Sequence, residues 1–306
     1  MKGVAVLAFA GRRNFKMAGF FGSHKRELLK DGPEKTGFFK FWEIFFLRFG
    51  KLFLLNVIYF ICIAPVLSYF LQLLNGQFTL LGIPFESQPL VYGPLGVALA
   101  YLFRLPMPVY FALLGLSAIC FGPLTAGFTY VTRNFVRREH ADISDMFIRA
   151  GKNFFQGFLL GIWDLLVIAG LILLISRGGM FFVIFGIAAI YVVVRNYVYT
   201  IIVTFKLNIV SAMVNAFIFI IMGFWRNLLI ILYTGALSII IPIFPIVDMF
   251  LVILIYFSLV GMINQFLGYP VVNKYMIEQA HLKTPPAETV EAEAIEQIEE
   301  PGEDAE

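Results

Sequence analysis

The chain has 306 residues, 60% of them hydrophobic and only 14% charged, with a formal net charge of +3. That leaves too little polar surface for a soluble globule, and unalternated apolar runs such as 165–175 exclude a β-barrel. The net charge hides an asymmetry: residues 288–306 hold nine acids and no base, so removing them from +3 leaves about +12 for the rest.

Residues 1–37 read as a polar, basic N-terminal segment. Its stretch 4–10 (VAVLAFA) resembles a secretory leader, but the apolar core is short and Arg12 and Arg13 follow at once. Met17 opens a more natural segment, so 1–16 read as an upstream extension. Residues 38–278 form the membrane domain. Six apolar stretches, 52–74, 107–130, 154–175, 180–205, 228–246 and 249–270, each approach the ~20 residues a helix needs to cross ~30 Å of hydrocarbon. Lipid offers no partner for backbone groups, so these stretches must be helices. The expected fold is all-α, a polytopic membrane bundle of six helices. Residues 279–306 read as an acidic disordered tail, too polar to bury a core.

Lys and Arg divide unevenly between the connections. Eleven precede the first span, five lie in 131–153, two between spans four and five, and two in the tail. The opposite side has only Arg104 and Arg177. This 20 to 2 split places both termini in the cytoplasm of a cell-membrane protein. The 75–106 connection then lies outside. Its stretch LVYGPLGVALAYLF (90–103) is too short to cross and is interrupted by Gly93-Pro94, so it reads as re-entrant or surface-lying.

A design recurs three times. FFKFWEIFFLRFGKLFLLN (38–56), DMFIRAGKNFFQGFLLG (145–161) and NAFIFIIMGFWRNLLIILYTG (215–235) each join an aromatic-rich lead to an apolar run. Lys51, Lys152 and Arg226 mark the boundaries. We expect three hairpins of one orientation, each introduced by a cytoplasmic interfacial helix, where aromatic and basic side chains suit the headgroup layer. Ser144 or Asp142 can cap the second of these.

Two charges fall deep inside spans. Asp164 lies ten residues into the third, and Arg195 about ten from the inner end of the antiparallel fourth. At 1.5 Å per residue both sit ~15 Å deep and can pair. An unpaired charge there costs at least ~2.5–3.5 kcal/mol. Such a pair suits proton coupling or substrate orientation, and equally a lock between helices, with Asn196 and Trp163 as further partners. Gly122-Pro123 interrupts span two, where Pro123 removes an N–H and displaces the preceding turn. Pro65, Pro242 and Pro245 read similarly. Cys62 and Cys120 are small mid-span hydrophobes, and His24, His140 and His281 are scattered without ligand spacing. No enzyme, cofactor or metal site is expected, and the basic inner face implies a lipid bilayer rather than nucleic acid.

Beginning at Cys120, the run CFGPLTAGFTYVTRNFVRREHADISDMFIRAGKNFFQG resembles the hallmark segment of the YesL-like family of integral membrane proteins of unknown function. MAGFFG (17–22), residues 38–65 and NAFIFIIMGFWRNL (215–228) resemble that family too. Gly122, Pro123, Arg133, Asn134, Glu139 and His140 are the specific part of the match. The polar leader after Gly22 and the acidic tail depart from it. The resemblance implies six helices and an association with carbohydrate uptake and degradation, and supplies no catalytic or binding residues. It points to an accessory or regulatory protein partnered with a sugar-uptake system or another membrane protein. The alternative is a secondary transporter of a small solute that uses the Asp164/Arg195 pair. The Pro-x-[Asp/Glu]-x-x-[Lys/Arg] signature of mitochondrial carriers is absent.

Overall fold

The computed structural model describes residues 37–74, 95, 98, 99, 101–176, 181–205, 207–240 and 244–278. The N-terminal segment before Gly37, most of the 75–106 connection, Arg177, Pro242 and the acidic tail lie outside the described residues, as do His24 and His281.

Ten α-helices carry the described fold. They are α1 (Gly37–Leu47), α2 (Phe49–Leu74), α3 (Met107–Val136), α4 (Ser144–Lys152), α5 (Phe154–Ser176), α6 (Phe181–Thr204), α7 (Ile209–Met222), α8 (Phe224–Ile240), α9 (Pro245–Leu251) and α10 (Phe257–Val272). A π-helical turn at Val252–Tyr256 joins α9 to α10, and a second one, Asn273–Ile277, extends α10. Five helical stretches are long and apolar enough to cross a membrane, or six if α7 and α8 count as one broken span. Large apolar side chains such as Leu116, Leu166, Ile175 and Ile190 face outward. That outward belt is what hydrocarbon solvates. The protein is a polytopic helical membrane bundle.

The three aromatic lead-ins become three short helices, α1, α4 and α7, each followed by a long one. The junctions fall at Arg48, Asn153 and Gly223. At the third, α7 and α8 meet at 95°, and Gly223 fits closely, since a Cβ there would lie 3.0 Å from Phe219 O and the Tyr197 hydroxyl. At the end of α7, Asn227 Nδ2 donates to Phe219 O, which also accepts the Gly223 N–H, and to Ile220 O, at 3.0 Å each. The fifth span thus differs from the 228–246 expected of it: the helix starts at Phe224 and runs 17 residues to Ile240. Aromatic Phe224 and Trp225 continue the helix after the bend, so the boundary follows the glycine rather than the onset of aliphatic residues.

α3 is the central helix, packed against α2, α4, α5, α6 and α10. Its crossing with α5 has no side chains between the backbones. A Cβ on Gly122 would lie 1.8 Å from Gly157 O, and one on Gly161 2.7 Å from Gly122 N. The Gly157-x-x-x-Gly161 pair on α5 therefore receives the Gly122-Pro123 step of α3, the close approach small residues allow in membranes. Farther along α3, Gly127 lies against Met146 O of α4. α3 then ends in paired bonds, Glu139 N to Asn134 O (2.9 Å) and Arg138 N to Phe135 O (3.0 Å). Arg138 takes the left-handed conformation, φ 57°, that usually calls for glycine at this position.

One local expectation fails. No side chain caps α4: Asp142 turns its carboxylate to Lys51 Nζ at 2.7 Å, and Ser144 is already the first helical residue. Asp145 instead accepts the Asp142 N–H at 2.9 Å. Of the 90–103 stretch, the described residues Leu95, Leu99 and Leu102 pack with Phe60 and Val252, and Tyr101–Arg104 form a 3-10 turn.

Candidate functional site

Asp164 and Arg195 come together between α5 and α6. Arg195 Nε donates to Asp164 Oδ2 at 2.7 Å, and the Tyr199 hydroxyl donates to the same oxygen at 2.9 Å. Tyr191 OH donates to Oδ1. The carboxylate is thus held by a cation and two phenols, and its side chain is 3% exposed. A buried charge with three donors and an opposite charge avoids most of the cost of leaving water. The Arg195 side chain is 32% exposed, and its guanidinium also lies 5.2 Å from the Tyr199 ring and 5.7 Å from that of Phe121. Among the described residues only its Nε is bonded, so both Nη groups remain open.

The expected helpers are not the ones that serve. Asn196 points away, receiving Gln265 Nε2 at 3.1 Å and donating to Asn264 O at 3.3 Å. Trp163 lines the mouth of the site at 51% exposure. The spacing of the tyrosines carries the signal: Tyr191, Arg195 and Tyr199 are i, i+4, i+8 and share one face of a helix. Leu160, Val194, Val198 and Met213 complete a cleft of about 20 Å³ over the pair, room for a single water. Gln265 links this region to the last span by donating to Thr200 Oγ1 at 2.9 Å as well.

The pair also occupies a repeated position. Eleven residues past each junction (48 to 59, 153 to 164, 223 to 234) stand Tyr59, Asp164 and Thr234. Each meets the second long helix of its own unit: Tyr59 with Thr125 at 2.9 Å, Asp164 with Arg195, and Thr234 with Asn264 at 3.5 Å. Only the middle unit uses charge.

The other singled-out residues lie elsewhere. Gly122 and Pro123 form the α3–α5 crossing. Arg133 is buried, with Nε and Nη2 on Asn134 Oδ1 and Nη1 on Thr204 Oγ1 at the end of α6. Glu139 binds Arg137 at 2.7 Å, and His140 lies 4.0 Å from Asp142 on the exposed edge. Among the described residues, none of these is hydrogen-bonded or ion-paired to Asp164, Tyr191, Arg195 or Tyr199. Among the described residues no group of three His, Cys, Asp or Glu converges as metal ligands would.

Residues 107–177 match the family described as "Protein of unknown function, DUF624". The matched segment spans α3, α4 and α5, so it contains Asp164 and the α3–α5 crossing and stops before Arg195. No curated protein and no solved structure matches the chain.

Proposed function

We propose that this is a YesL-like integral protein of the cell membrane, with both termini cytoplasmic, acting as an accessory or regulatory component of carbohydrate uptake or utilisation. The observation that supports an accessory role is the saturation of Asp164. A carboxylate holding one cation and two hydroxyls is built to fix α5 against α6, whereas a coupling group must exchange partners during a cycle. The carbohydrate association rests on the family resemblance. The 20 to 2 split of basic residues supports the orientation.

Purified full-length protein in liposomes, offered a panel of sugars, is expected to transport none alone, while tagged protein in native membranes co-purifies with sugar-uptake permease subunits. Uptake by the purified protein would reverse this reading. Cysteines introduced at 88, 142 and 285 test the orientation: only the first should label from outside intact cells.

A second reading, secondary transport of a small solute, is favoured by one feature. Arg195 lines a cleft, and among the described residues its Nη groups carry no hydrogen bond, so they are donors that a solute could engage. Loss of uptake in Arg195→Gln, with the fold retained, would be its signature.

A further inference from the structure

At the basic end of the bundle, α3, α4, α6 and α10 bring three arginines together around two tyrosines. Arg133 and Arg149 lie over the Tyr130 ring at 4.9 and 4.1 Å, and Arg149 Nη2 donates to the Tyr130 hydroxyl at 3.0 Å. Arg137 lies 5.2 Å from the centre of the Tyr269 ring. The acid in direct contact is Glu139, on Arg137. Among the described residues, every bond from Arg133 goes to a neutral acceptor: Asn134 Oδ1, Val203 O and Thr204 Oγ1. Those bonds use four of its five N–H groups, and one on Nη2 remains.

Tyr269 supplies the second observation. It is 8% exposed, and its hydroxyl is the one buried side-chain polar atom among the described residues that has no hydrogen-bond partner. Its ring lies beside Arg137, which caps α3 one turn beyond Arg133. A buried hydroxyl without a partner costs free energy that phenylalanine would avoid. An acceptor supplied from outside the chain removes that cost. The neighbouring unused donors are guanidinium N–H groups, and the local charge is positive, so the acceptor that fits is an anion with several oxygens. The Arg137 side chain, 25% exposed, marks the way in.

We propose that Arg137, Arg133 and the Tyr269 hydroxyl form a binding site for a phosphate group, carried by an anionic phospholipid headgroup or by a soluble phosphate ester. The proposal does not rest on the uptake reading. Arg137 and Tyr269 are the ligand-facing groups, and Arg133, fixed by α6, anchors the floor.

The test uses the full chain and two variants, Arg137→Gln and Tyr269→Phe, followed by thermal unfolding. Probes are inorganic phosphate and glycerol phosphate in detergent, against chloride at matched ionic strength, and phosphatidylglycerol against phosphatidylcholine nanodiscs. Wild type should be stabilised by a phosphate probe, with apparent affinity about tenfold weaker or worse in Arg137→Gln. Tyr269→Phe should unfold no lower than wild type without ligand, yet lose most of the ligand-induced shift. A shift with the soluble probes assigns the site to a free ester, and a shift only in phosphatidylglycerol discs assigns it to a headgroup. No shift beyond matched chloride with any probe overturns the proposal. So do equal shifts in wild type and Tyr269→Phe, which is informative even if Arg137→Gln fails to fold.

Discussion

The two faces of α5 hold the bundle by opposite means. Toward α3, Gly157 and Gly161 present bare backbone to Gly122 and Pro123. Toward α6, Asp164 presents a charge wrapped in donors. Between helices in lipid there is little hydrophobic drive, so close van der Waals contact and interhelical hydrogen bonds carry association. The first face tolerates no added atom, and the second tolerates no lost one.

The largest expected effect is on the glycine face. Gly122→Val should cost about 3 kcal/mol or more, because the new side chain meets backbone rather than a movable group. Gly170→Ala, farther along α5 where a Cβ meets nothing within 4 Å, should stay within about 1 kcal/mol of wild type. Comparing yields of monodisperse protein and unfolding temperatures separates the two; equal losses would mean that the crossing is looser than drawn.

On the polar face, Arg195→Gln strands a buried carboxylate and should cost about 3–5 kcal/mol. Asp164→Asn also strands a guanidinium but leaves an amide oxygen that can still accept its Nε–H, so its loss should be smaller. Equal losses would show that the remaining acceptor does not serve Arg195.

Asn56 extends the comparison to the last span. Its Nδ2 donates to Val252 O and Ile253 O at 2.9 and 2.8 Å, and its Oδ1 accepts the Ser258 N–H at 2.9 Å. One amide thus serves the backbone groups released by a π-helical turn. Asn56→Leu should cost about 2–3 kcal/mol by leaving them unpaired, measurable as a lower unfolding temperature.

Smaller effects lie at the basic end. Arg138→Gly relieves a left-handed residue and should stabilise by up to about 1 kcal/mol. Asp142 is held below the usual carboxylate range, first by the hydrogen bond from Lys51. A lowered folded value means that its contribution is complete at neutral pH and fades as pH falls below about 4. Wild type and Asp142→Asn should therefore converge in unfolding temperature at acid pH.

Much of this was legible in the sequence. Apolar length gave the helices, and the aromatic lead-ins before Lys51, Lys152 and Arg226 gave three short helices feeding three long ones. Depth counting brought Asp164 to Arg195. The spacing 191, 195, 199 puts the tyrosines on the face of Arg195, but aromatics in a span read first as apolar bulk. Gly157-x-x-x-Gly161 carries no signal of its partner, because the Gly122-Pro123 step that it meets lies on another helix. Bonds such as Arg133 to Thr204 or Asn56 to Val252 depend on which helices touch, and one-dimensional spacing does not contain that.

The central claim is that Asp164 and Arg195 act as one strut between α5 and α6. A double-mutant cycle on Asp164→Asn and Arg195→Gln, read by unfolding free energy in detergent, tests it directly. The expected result is recovery in the double variant, with an interaction energy of about 2 kcal/mol between the two sites. Additive losses, or single variants as stable as wild type, would contradict it.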